Sequence, residues 1–167
     1  MLKELEREKY NFSVGKADFY LRFDNKAVVE LEKLGYSFFD VAEKGFDLKS
    51  AKCFLSCGLR DWFDSCGIED LNIVVNKITA ALSPNEISEI LIGGFLLALP
   101  KPVLNSKPAG KGEADFSRIF YCFCDIMGKP ESLFWELTLR EVCDRWDSYA
   151  VFHGYKEAPI TVRRYDD

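Results

Sequence analysis

The chain has 167 residues, 48% of them hydrophobic and 14% aromatic, a net charge of -5 and a pI near 5.1. That composition excludes the disordered class, and the acidic total argues against a protein whose main task is neutralising nucleic-acid phosphates. The longest apolar run, Ile90 to Leu99, is about half of the ~20 residues a membrane-spanning helix needs.

The opening MLKELEREK is charged and shows no apolar h-region or cleavage site, so a cytoplasmic setting is expected. Phe12–Val14 and Ala17–Phe23 bracket Gly15 and Lys16 and predict a β-hairpin. In its second strand Phe19, Leu21 and Phe23 share one face, and Tyr20 and Arg22 the other. Two strands do not hold together alone in water, so the phenylalanine face must lie on helices or on a neighbouring subunit's sheet.

Asp24 caps a predicted helix with Ala27, Val28, Leu31 and Leu34 on one face and Gly35 as its stop. Ser37 and Asp40 have capping-box spacing and predict a short helix ended by Gly45. Asp47 opens a stronger helix in which Leu48, Ala51, Leu55, Leu59 and Trp62 are spaced for burial. Ile68–Leu82 continues the helical pattern through Leu71, Val74, Val75, Ile78 and Leu82. Ser83-Pro84-Asn85-Glu86 joins an N-cap, a proline at the first helical position and a glutamate three residues after the cap.

The helix it begins runs to Pro100 and is apolar nearly all round from Ile90. It is expected to be either the central helix of a bundle or the face of an oligomer. Gly93 and Gly94 in its middle each cost about 1 kcal/mol relative to alanine. Close approach of another helix is the expected reason.

Pro100–Asp115, PKPVLNSKPAGKGEAD, holds three prolines and two glycines, a composition in which neither helix nor central strand survives. It reads as a linker between a body at 1–99 and a helical extension at 116–167. In the extension Phe116, Ile119, Phe120, Phe123 and Met127 form an aromatic stripe ending at Gly128. Within PESLFWELTLRE, Thr138 and Glu141 make a second capping box, and Val142, Trp146 and Tyr149 follow on one side until Gly154. So many rings in fifty residues must pack on the body, on a sister subunit or on a partner. The stretch around Ile160 and Val162 is either an added edge strand or a loose tail. The fold class is therefore mainly α with a small N-terminal β-hairpin, a helical bundle plus a helical extension.

Chemistry-bearing patterns are sparse. The six cysteines lack zinc-knuckle spacing and read as free, mostly buried thiols. The single histidine, His153, lies at a helix end, where the dipole satisfies it. There is no Gly-x-Ser-x-Gly and no Walker spacing around Gly110-Lys111-Gly112. Glu30 and Glu32 belong to a solvated helix face. No catalytic residue, cofactor or metal is expected, and the chain reads as an interaction protein.

The segment from Phe19 to Glu43 resembles the N-terminal part of phage tail assembly chaperones of the kind shared with gene transfer agents. A strand ending in Arg22-Phe23 leads directly into a helix carrying Leu31-Glu32 and ending at Gly35. Leu59-Arg60 in the next helix is also similar, and the likeness covers residues 12–99. Phe134-Trp135-x-Leu137-Thr138-x-x-Glu141 resembles the short C-terminal module of the same systems, with Leu139 where the usual pattern has proline.

The resemblance implies a non-virion protein of the infected cell's cytoplasm that keeps the tape measure protein soluble and recruits the tail tube protein through its extension. It also implies several copies of the chain, as a homo-oligomer, and no nucleic-acid or membrane partner. Both parts would lie in one reading frame or arise by frameshift. Such a role needs apolar anchors, for which the candidates are Phe19, Leu21, Phe23, Ile90, Phe95, Phe134, Trp135 and Trp146. The alternatives are a structural tail completion component retained in the virion, and a helical regulator binding nucleic acid.

Overall fold

The computed structural model describes residues 8–36, 45–67, 70–100 and 116–155. The expected helix after Ser37, the expected linker beyond Pro100 and the stretch around Ile160 lie outside the described residues. Strands β1 (Tyr10–Val14) and β2 (Ala17–Leu21) form the expected antiparallel hairpin, with Tyr10 opposite Leu21 and Phe12 opposite Phe19. Among the described residues eight α-helices follow: α1 (Asn25–Lys33), α2 (Leu48–Gly58), α3 (Arg60–Cys66), α4 (Leu71–Ala81), α5 (Pro84–Ala98), α6 (Phe116–Tyr121), α7 (Glu131–Glu136) and α8 (Leu139–Phe152). A single π-helical turn, Cys122–Ile126, extends α6. The chain is mainly α with a small β-hairpin, as its sequence patterns predict.

Side-chain caps start the longer helices. Asp24, Asp47 and Asp70 accept bonds from the amides of Ala27, Ser50 and Asn72, each satisfying one of the first-turn donors that have no helical partner. Ser83 and Thr138 both complete reciprocal capping boxes with Glu86 and Glu141. Gly35, at φ 83°, ends α1. There the Gly35 amide bonds Glu32 O and the Tyr36 amide bonds Leu31 O at 3.0 Å, a Schellman closure that needs the left-handed region glycine enters freely.

Helix α2 is the centre of the body, touching α1, α3, α4, α5 and β2. The long apolar helix α5 instead lies between α2 and β1 on one side, and Ile92 and Leu96 remain exposed on the other. The core is aromatic. Phe23 stacks on Phe95 with centroids 4.5 Å apart, and Phe54 sets its ring edge-on to both. Burying rings of this size stabilises the fold by about 1.5–3 kcal/mol each.

Three expectations are corrected. The glycines of α5 admit the hairpin, not another helix: a Cβ on Gly93 would stand 2.2 Å from Tyr10 Cε2, and one on Gly94 3.0 Å from Phe23 Cε2. The helix opened by Asp47 does not run unbroken to Trp62. The Gly58 carbonyl accepts the Arg22 amide at 2.9 Å, so the strand exit takes an acceptor and α3 starts afresh. Leu34 and Leu48 are exposed, not buried, because one is the C-cap of α1 and the other is the first residue of α2, both beyond the packed turns.

Candidate functional site

Four of the eight anchors expected to bind a partner are core residues. Leu21, Phe23 and Phe95 belong to the body's apolar cluster, and Phe134 to a second cluster with Phe123, Leu137 and Val142. Their rings and branches are consumed by the hairpin–α5 contact and by the packing of α6 on α7, so all four are covered by the chain's own residues. Phe19 is partly covered, between Phe12 at 5.5 Å and Trp62 at 4.8 Å. Ile90 packs partly against the body cluster. Trp135 is half-buried against Phe120 and Phe134, and its indole donates to Glu131 Oε1 at 3.1 Å.

Trp146 is half-buried at the base of an aromatic patch whose outer rings are exposed. It stacks on Tyr149 at 5.8 Å, one turn along α8, and Tyr149 lies 4.1 Å from the imidazole of His153. Phe152 is 86% exposed and Tyr155 68%. A Schellman closure fixes the place of Tyr155: its amide bonds Ala150 O at 2.8 Å and the Gly154 amide bonds Val151 O. The Tyr149 hydroxyl donates to Ile126 O at 3.3 Å, bringing the 40%-exposed Ile126 to the same region. Asp144 and Asp147 on α8 give the neighbourhood acidic character. They add to the effect of burial in pushing the Cys143 thiol up to about 11.

Two other features could receive a partner. The hairpin turns Asn11, Ser13 and Asp18 to solvent, and among the described residues neither strand makes a backbone bond outside the pair. Its outer edges can accept an added strand. A cavity of about 490 Å³ opens between the start of α1, α3 and α7, lined by Arg22, Asp24, Lys26, Asp61, Asp64 and Trp135 among others. Burial raises the Asp24 carboxyl above its ordinary range, against the lowering effect of the Ala27 amide and of Arg22.

Residues that sequence reading passed over carry the junction of the two clusters. Arg22, assigned by alternation to the polar face, is 3% exposed. Its Nη2 donates to Glu141 Oε2 at 2.8 Å. The capping box that flagged Glu141 gave no sign of this second role. Asn25 bonds the Leu137 and Phe134 carbonyls through its amide and side chain.

All six cysteines are free, and among the described residues no cluster of histidine, cysteine or carboxylate side chains is arranged to hold a metal ion. Among the same residues no helix is long and apolar enough to cross a membrane. No protein-family model, curated protein or solved structure matches the chain.

Proposed function

We propose that the chain is a tail assembly chaperone, a binding protein that keeps an aggregation-prone tape measure protein soluble in the cytoplasm of an infected cell and recruits the tail tube protein. The observation that carries the reading is the aromatic patch at the end of α8, where Phe152, His153 and Tyr155 are exposed beside half-buried Trp146 and Tyr149. Rings fixed by their own helix and a closed C-terminus lose little entropy on binding, and such aromatics dominate interface energetics. An elongated helical client would lay its apolar face on these rings, with basic flanks beside Asp144 and Asp147. The direct passage from β2 through Arg22-Phe23 into α1 and its Gly35 stop is the arrangement on which the family resemblance rests.

The test is co-expression with the proposed client, a tape measure protein. The two should co-purify, and Phe152→Asp with Tyr155→Asp should leave the chaperone folded while weakening the complex by at least about 2 kcal/mol, roughly 30-fold. Insoluble tape measure protein with no co-purification would overturn the proposal. Mass spectrometry of purified particles separates it from a retained tail component, because a chaperone should be missing from them.

A further inference from the structure

The two apolar clusters do not merge. One is built from β1 to α5 and the other from α6 to α8, and Phe116 is a partly buried residue packed against both. What joins them is polar. Asp24 and Thr138 form an isolated antiparallel bridge, and the Asn25 amide donates to Leu137 O at 2.8 Å. Buried Asn25 Nδ2 donates to Phe134 O at 2.9 Å, and Arg22 pairs with Glu141.

Arg140 completes the seam from the other side. Its guanidinium donates to Leu99 O at 2.7 Å, to Leu96 O and to Glu8 Oε2 at 3.2 Å, capping carbonyls at the end of α5 that have no helical partner. Beside this seam lies the cavity of about 490 Å³, so the contact is not close-packed. Arg22 Nε and Asn25 Oδ1 are buried without a hydrogen-bond partner.

We propose that residues 116–155 are latched onto the body by this polar seam and undock from it as one unit, with the helices of both parts staying folded and Glu141–Arg22 acting as the pin. Each part keeps its own apolar cluster when the seam opens, whereas water can replace every bond that the seam breaks. Opening therefore hydrates the polar groups of the seam and relieves the two unpartnered atoms of Arg22 and Asn25, while it breaks the Phe116 contact. The closed state buries Arg22 and Asn25, and the open state presents them. This inference is independent of which client the chain binds.

Native-state hydrogen exchange on the full chain, followed at rising low denaturant, tests it. The Asn25 amide, which bonds Leu137 O across the seam, should exchange at least about tenfold more often than the intrahelical amides of α2, α5 and α8, which the opening leaves bonded. Glu141→Gln keeps a capping-box side chain and removes the charge, so it should speed the Asn25 amide by about tenfold and leave the helical amides unchanged. If the wild-type Asn25 amide opens only together with those of α2, with equal denaturant dependence, the latch does not exist, whatever the variant does. Equal acceleration of the Asn25 and helical amides by Glu141→Gln would overturn the pin. Arg22→Lys, which retains a charge at the seam, should give a smaller acceleration confined to the Asn25 amide.

Discussion

Gly93→Ala isolates the fit between the hairpin and α5. Alanine in a helix interior is favoured over glycine by about 1 kcal/mol, so in an open site the substitution would stabilise. Here the added Cβ would lie 2.2 Å from Tyr10 Cε2, 2.4 Å from Cζ and 2.8 Å from Cδ2. Relief needs a shift of more than an ångström, and three atoms of one ring are involved. The whole side chain must leave α5. Tyr10 is paired with Leu21 across the hairpin, so its displacement disturbs a fully buried neighbour. Overpacking of this kind costs about 1–3 kcal/mol, and with the overlap this severe the net loss should be about 1–2 kcal/mol after the helical gain. In a Tyr10→Ala background the obstacle is gone, and Gly93→Ala should stabilise by about 1 kcal/mol. Urea unfolding of the four proteins gives a coupling of about 2–3 kcal/mol. A Gly93→Ala effect of the same sign and size in both backgrounds would refute the contact.

Phe95→Ala should cost about 3–5 kcal/mol of stability, because its ring is wedged among Phe23, Phe46 and Phe54; Phe152→Ala, at an exposed end, should stay within about 0.5 kcal/mol, both read by chemical denaturation. Two aspartate caps should titrate in opposite senses. Burial raises the folded-state Asp24 pKa, so its contribution is present below the unfolded value and lost as pH rises through the folded one; Asp24→Asn should remove that loss. Hydrogen bonds from Ser50 lower the Asp47 pKa, so its contribution is present above the unfolded value and lost as pH falls through the folded one; Asp47→Asn should remove the acid-side loss, and Tm followed across acidic to neutral pH checks both. A thiol reagent near neutral pH should label exposed Cys66 first, while Cys57, pushed up by burial to about 12, reacts only on unfolding; peptide mapping that found Cys57 labelled in the folded protein would contradict the burial.

The elements whose signals are local were legible. Asp24, Asp47, Ser83 and Thr138 announce helix starts because a cap and the amide it satisfies are three residues apart, and Gly35 announces a stop by the same economy of distance. Partnerships across the chain were not. Arg22 and Glu141 are 119 residues apart, and alternation alone puts Arg22 on a polar face without saying that a second cluster will cover it. The break after Gly58 depends on the Arg22 amide arriving at its carbonyl, and no residue near Gly58 encodes that. The π-turn, in which the Met127 amide reaches Cys122 O, leaves Phe123 buried and Ile126 exposed. A stripe counted at helical spacing contains Phe123 but gives no hint of the turn.

Four of the eight expected anchors are core residues, and for the hairpin the glycines explain why. A large side chain is buried where something opposite gives way to it. Gly58 faces the tip of Phe23, Gly94 faces Phe23 and Leu21, and Gly93 faces Tyr10. The body thus carries a receiving position for the apolar face of its own hairpin, and those rings are spent internally. Along α8 the only small residues are Cys143, Ser148 and Ala150. Ala150 is buried, while Phe152 and Tyr155 on either side of the closing turn meet no such recess. Under the proposed function, the end of α8, with Trp146 and Tyr149 as its base, is the surface a client protein would meet first.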